Sequence, residues 1–152
     1  MYLPYRDSKA LTRTYIFAFR QCTSVWDKIL PGYTHVDLLE PIGTTTLVCA
    51  PTFSGCEIFA RDTPHEGLEG YRCVRVEVRP RKGQRLIRVG VQTCATVVQY
   101  VAHIWLGAIT CQALYERLTL CDRDWLRSKG IIHTEVLKDG EPWDLTALAE
   151  NF

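Results

Sequence analysis

The chain has 152 residues, 47% of them apolar, and a net charge of +1. That is enough apolar mass for a core and too much for a disordered segment, and the length favours one domain. The near-neutral balance selects no partner by bulk electrostatics, and no apolar run reaches the roughly 18 residues that a membrane helix needs.

Residues 1–13, MYLPYRDSKALTR, are polar and contain Pro4, and read as an N-terminal arm. They lack the apolar stretch of a signal peptide, so no secretory route is expected. RTYIFAFRQC (13–22) is aromatic and β-branched and predicts a strand. SVWDKILPGY holds one short helical turn from Ser24 to Pro31-Gly32. THVDLLEPIGTTTLVCAPTF predicts a hairpin with strands near 34–40 and 45–50 and a turn at Pro41 and Gly43, and GCEIFA adds a short strand. After a loop over 61–70, YRCVRVEVRP alternates, with Val74, Val76 and Val78 on one face. PRKGQ then turns the chain and RLIRVGV returns, which predicts a second hairpin with one wet face.

A helical part follows. Thr93 is placed to cap a helix whose apolar stripe is Cys94, Val97, Val98, Val101, Ile104 and Trp105, ended by Gly107. Thr110 caps a second helix with Leu114, Tyr115 and Leu118 inward, and RDWLRSKG either continues it or adds a turn ending at Gly130. GIIHTEVLKDGEPWDL predicts a small hairpin over Asp139-Gly140. Strands followed by helices make the class α+β, an antiparallel sheet of hairpins packed against two or three helices. The expected division is an arm over 1–13, one domain over 14–130 and a C-terminal tail over 131–152.

Seven cysteines stand at Cys22, Cys49, Cys56, Cys73, Cys94, Cys111 and Cys121. An odd count in a chain with no leader favours reduced thiols, most of them small core hydrophobes. The nearest pair, Cys49 and Cys56, lacks the close spacing of a zinc site, so neither a metal nor another cofactor is expected.

Cys94 is the chemical candidate. At the first turn of a helix, orphan N–H groups and the dipole favour thiolate, and the same N–H groups can hold an oxyanion. The competing reading is a core thiol on an apolar stripe. A nucleophile also needs a base within reach. His65 lies in a loop, His103 is nine residues along the same helix and too far away, and His133 is in the tail. His35 opens the first hairpin strand, a rigid mount for a catalytic group.

The ordered pieces THVDLL, LVCAPTF, GVQTCATVVQYVAHIWLG and TCQALYERL, over residues 34–118, resemble phage-encoded members of the NlpC-type papain-like superfamily in its circularly permuted form. In that form the histidine strand precedes the cysteine helix. The resemblance implies a permuted papain-like fold, with Cys94 as nucleophile and His35 as base. It also implies a polar residue that orients the histidine, usually from the following strand. With a turn near Gly43, the positions opposite His35 hold Ala50, Pro51 and Thr52, and no carboxylate. Thr52 offers a weak acceptor; Asp37, two residues along the same face as His35, is a second candidate.

Arg72, Arg75, Arg79, Arg81, Lys82, Arg85 and Arg88 stand against only Glu77, and form a basic hairpin suited to an acidic partner. Cell-wall polymer and other virion proteins fit. Nucleic acid fits less well, because only Tyr71 supplies an aromatic nearby. Trp125, Ile131, Ile132, Val136, Leu137 and Trp143 pack back onto the sheet or dock on another chain.

Two functions follow. The favoured one is a bacteriophage virion or tail-associated structural protein, degenerate in catalysis, made in the bacterial host cytoplasm and then carried in the virion. The alternative is an active cysteine peptidase or amidase acting on peptidoglycan or other peptide bonds.

Overall fold

Tyr15, Ile16, Phe17, Ala18 and Phe19 follow one another in the first strand and are each 2% exposed or less. In a strand successive side chains leave on opposite faces, so such a run needs a sheet covered on both. The computed structural model describes residues 12–21, 32–42, 45–52, 55–61, 70–79 and 93–137. It shows an α+β chain with β1 (Arg13–Arg20), β2 (His35–Ile42), β3 (Thr45–Thr52), β4 (Gly55–Arg61), β5 (Arg72–Val78), α1 (Cys94–Val101), α2 (Cys111–Leu120), α3 (Arg123–Ser128) and β6 (Ile131–Val136). The strands form one antiparallel sheet in the order β4-β3-β2-β1-β5-β6.

The helices cover one face. Tyr15, Phe17, Phe19, Val36, Leu38, Val74, Val76 and Val78 meet Ala95, Val98, Leu114, Leu118 and Leu126 in the main core. The opposite face carries a smaller cluster of Ile16, Ala18, Leu39, Val48 and Cys73. Val74, Val76 and Val78 thus share the inner face as their alternation requires, but the reverse face of the sheet is not simply wet. No helix among the described residues is long and apolar enough to cross a membrane.

The first hairpin and the GCEIFA strand form, but Pro41, expected in the turn, lies within β2 opposite Thr46. The second hairpin does not form. Over residues 72–78, β1 pairs with one edge of β5 and β6 with the other, so no edge is left for a returning strand. That return strand lies outside the described residues, as do the helical turn at 24–31, the 62–69 part of the predicted loop, the Asp139-Gly140 turn and the arm up to residue 11. The start of the expected tail is itself part of the sheet: β6 pairs with β5 from Val74↔Val136 to Val78↔Ile131, and Ile131 is buried in the main core. The sheet therefore runs past residue 130.

Helix α1 also ends early. It stops at Val101, and His103 takes a positive φ of 58°, so Ile104 and Trp105 lie outside it. The agent is Gln99, whose side chain is fully buried. Its Nε2 donates to the Ala95 carbonyl at 2.8 Å and to the Ala108 carbonyl at 2.6 Å, and its Oε1 accepts from the Leu106 N–H at 3.0 Å. One amide thus folds segment 102–108 back over the helix. Replacing Gln99 with leucine leaves the Leu106 donor and the Ala108 acceptor buried without a side-chain partner, each costing about 1–3 kcal/mol. Urea denaturation should show Gln99→Leu destabilised by about 3 kcal/mol.

The cysteines divide. Cys73, Cys94, Cys111 and Cys121 are free. Cys49 is disulfide-bonded, to a cysteine whose side chain lies outside the described residues, so wholly reduced thiols is not the arrangement here. Pairing depends on which Cβ atoms the fold brings within about 4 Å, and the counting of thiols does not report that.

Candidate active site

His35 is the first residue of β2, and Cys94 is the first residue of α1. Val36 and Leu38 point into the core beneath the helices, and α1 carries Ala95 and Val98 into the same core. This packing sets the start of the helix at the mouth of β2. Cys94 Sγ lies 3.6 Å from His35 Nδ1. The other ring nitrogen, Nε2, donates to Asp37 Oδ1 at 2.7 Å, and Asp37 Oδ2 accepts from the Tyr71 hydroxyl at 3.2 Å. The result is one continuous chain of polar contacts, Tyr71–Asp37–His35–Cys94. His35 and Asp37 are both largely buried, at 15% and 14% side-chain exposure.

Local sequence explains each placement. In a strand, residues i and i+2 share a face, so Asp37 needs only the period of β2 to reach His35. Arg20 is directly opposite His35 on β1, and its guanidinium lies 5.2 Å from the centre of the Tyr71 ring. The approach to β2 is held from α2: Gln112 Oε1 accepts from the Tyr33 N–H at 3.0 Å. Gly32, with φ of 83°, permits this, because a Cβ there would stand 2.2 Å from Gln112 Oε1.

The start of α1 is a full capping box. Thr93 Oγ1 accepts from the Thr96 N–H at 3.2 Å, and Thr96 Oγ1 accepts from the Thr93 N–H at 2.8 Å. Thr93 Oγ1 also donates to the Ile109 carbonyl at 2.6 Å, which ties the start of α1 to the start of α2. The cap and the first helical bond engage the N–H groups of Thr96 and Val97. The N–H groups of Cys94 and Ala95, the first two residues of α1, belong to the helix start, where no intrahelical acceptor is available.

The electrostatics follow from these contacts. The Asp37 carboxylate, then the Cys94 sulfur, raise the His35 imidazole to about 10 against the opposing effect of burial. Hydrogen bonding from Cys111 and then from His35, with a contribution from the Val36 backbone, lowers the Cys94 thiol to about 5 against burial. Both shifts favour a thiolate–imidazolium pair at neutral pH.

Of the residues expected at the site, Cys94, His35 and Asp37 come together. The backbone of Thr52 ends β3, and its side chain lies outside the described residues. Tyr71 and Cys111 were not singled out for the site by sequence; Tyr71 is brought in from the residue before β5 and Cys111 from α2, at distances along the chain that no local spacing encodes. The basic stretch is only partly visible. Arg72 and Arg75 lie on β5, Arg79 follows it exposed, and Arg81, Lys82, Arg85 and Arg88 lie outside the described residues. Arg75 is engaged by Glu77 at 3.0 Å and Glu135 at 3.7 Å, so its charge is matched within the sheet. Among the described residues no group of three or more His, Cys, Asp or Glu is arranged to hold a metal ion. No family model matches the chain, and neither a curated protein nor a solved structure does.

Proposed function

We propose that this chain is a cysteine hydrolase that cuts an amide, peptide or ester bond through a covalent thioester. The observation that carries the reading is the unbroken line from Asp37 through His35 to Cys94, with contacts of 2.7 and 3.6 Å. In this scheme the Cys94 thiolate attacks the carbonyl carbon. The oxygen that gains charge is held by the N–H groups of Cys94 and Ala95 at the start of α1. His35 Nδ1 gives its proton to the leaving group, whose bond to the carbonyl breaks to leave a thioester on Cys94. His35, now neutral, takes a proton from water, which attacks the thioester and frees the acid and the thiolate. Asp37 keeps the imidazole in the tautomer that presents Nδ1 to sulfur.

The structural-protein reading rested on an orienting position that looked empty. Asp37 occupies that role from the same strand, and part of the expected contact tail is taken up as β6. Both facts favour the enzyme. The resemblance to phage-encoded NlpC-type proteins, with its permuted papain-like arrangement, makes a bacterial cell-wall peptide the first natural substrate to try.

Acyl-enzyme formation tests the reading. With an activated ester such as p-nitrophenyl acetate, the reduced protein should release one equivalent of nitrophenol in a burst, and mass spectrometry should find the acetyl group on Cys94. A protein that shows no burst, or carries the acyl group on Cys73 or Cys121, is not a Cys94 hydrolase.

A further inference from the structure

Cys94 is not the only free thiol at this end of the fold. Cys111 is the first residue of α2, as Cys94 is of α1, and the two helix starts are tied together by the Thr93–Ile109 hydrogen bond of 2.6 Å. Cys111 belongs to the core cluster against which Cys94 packs, and its thiol is foremost among the neighbours that lower the Cys94 pKa. Both are free thiols, and Cys111 is buried while Cys94 is partly buried. The hydrolytic scheme gives Cys111 no step.

We infer that Cys94 and Cys111 form a peroxide-modified dithiol, in which Cys111 is the resolving thiol that converts oxidised Cys94 into a reversible disulfide. The inference rests on the reading of Cys94 as a reactive thiolate and adds a modification site to it. The chemistry balances with hydrogen peroxide as the two-electron oxidant. The Cys94 sulfur attacks one peroxide oxygen; the S–O bond forms, the O–O bond breaks, and the hydroxide released takes the proton of His35 to become water. Cys111 sulfur then attacks the sulfenic sulfur of Cys94. The S–S bond forms, the S–O bond breaks, and the departing hydroxide takes the Cys111 proton as a second water.

The location explains the division of labour. The partly exposed thiol is the more open to small oxidants, whereas Cys111 is buried behind it in the core. A sulfenic acid with no thiol in contact goes on to sulfinic acid, which is irreversible by ordinary thiols. A thiol held beside Cys94 by the joined helix starts competes with that loss. A disulfide here would also block the hydrolase, since the same sulfur is the nucleophile.

The full chain, reduced and then treated with several equivalents of hydrogen peroxide, tests this by non-reducing peptide mapping. The wild type should lose two hydrogens in a peptide pair joining Cys94 to Cys111, lose iodoacetamide labelling at Cys94, and regain it with dithiothreitol. Cys111→Ser should instead gain two oxygens on Cys94 and stay unlabelled after dithiothreitol, whereas Cys73→Ser should behave as wild type. The wild-type map decides the matter whether or not the Cys111 variant folds: a Cys94 that passes to sulfinic acid with no link to Cys111 overturns the inference. The hydrolase reading is judged separately, by acylation of Cys94 in the reduced protein before any peroxide is added.

Discussion

Replacing His35 with alanine will move the ionisation of Cys94 from about 5 part of the way up toward an ordinary thiol, and will slow the alkylation of that cysteine at pH 6. The magnitude comes from two opposed effects. At pH 6 a thiol of pKa near 5 is almost wholly thiolate, while one near 8.5 is thiolate in only about 0.3% of molecules, a ratio of about 300. Nucleophilicity falls with basicity, with a Brønsted slope of about 0.4–0.5, and this returns a factor of about 40. Cys94 should therefore react with iodoacetamide about 10-fold faster than an accessible ordinary thiol at pH 6. In His35→Ala that margin should shrink, since the Cys111 and Val36 contributions remain. Hydrolysis should fall much further, by about 10⁴ or more, because the variant also loses the group that moves the proton. Equal labelling rates for Cys94 in the two proteins would show that His35 does not set the thiol.

The same pair predicts how the site responds to pH. The imidazole is raised from 6.5 to about 10, so its stabilising effect is complete below the lower value and is lost as pH climbs through about 10. The thiol is lowered from 9.0 to about 5, so its effect is complete above the higher value and is lost as pH drops through about 5. The ion pair holds between these limits, and activity should form a broad plateau bounded by them rather than a narrow bell.

Much of this was open to a reading of residues alone, and the exceptions share a cause. The alternation of Val74, Val76 and Val78, the Thr93 and Thr110 caps, and the pairing of β2 with β3 are local patterns, and they were read correctly. Cys94 and His35 were picked out by helix-start and strand-end positions, which are local too. Asp37 was visible as a same-face neighbour but ranked behind a cross-strand residue, because a turn estimate gave Thr52 and the strand period gave Asp37 with nothing to choose between them. Sheet order was hidden. β5 could be seen to be a strand, but that β1 and β6 occupy its two edges depends on pairing across more than 50 residues, and a hairpin to its immediate successor was the simpler expectation. The end of α1 was hidden as well. Gly107 carries the usual stop signal, yet the helix ends at Val101 because the Gln99 amide spends its donors and acceptor on the segment that follows. A glutamine inside a run of valines was the available clue, since a buried amide must find partners. Cys111 could be placed at a helix start but not beside Cys94, since contact between two helix termini is a tertiary fact.

Asp37→Asn separates a positioning role from a merely structural one. An asparagine fills the same space, and its oxygen can still accept from His35 Nε2, but the amide carries no charge to hold the imidazole protonated. Its NH₂ group can also turn toward Nε2 and favour the tautomer that presents no proton acceptor to Cys94. The corresponding exchange in a Ser-His-Asp triad costs about 10⁴ in turnover, and a loss of about 10³–10⁴ in kcat is expected here. The pH profile gives the sharper readout. Loss of the carboxylate removes the leading cause of the raised His35 value, so the alkaline limb should move down from about 10. A less protonated imidazole supports the thiolate less well, so the acid limb should move up from about 5 and the plateau should narrow from both sides. Tyr71 donates to the other carboxylate oxygen at 3.2 Å and carries no charge of its own, so Tyr71→Phe, which leaves the Asp37 carboxylate beside His35, should move the two limbs far less. A slow Asp37→Asn enzyme whose two limbs stay where they were would mean that Asp37 only supports the strand, and the charge on His35 would then need another source.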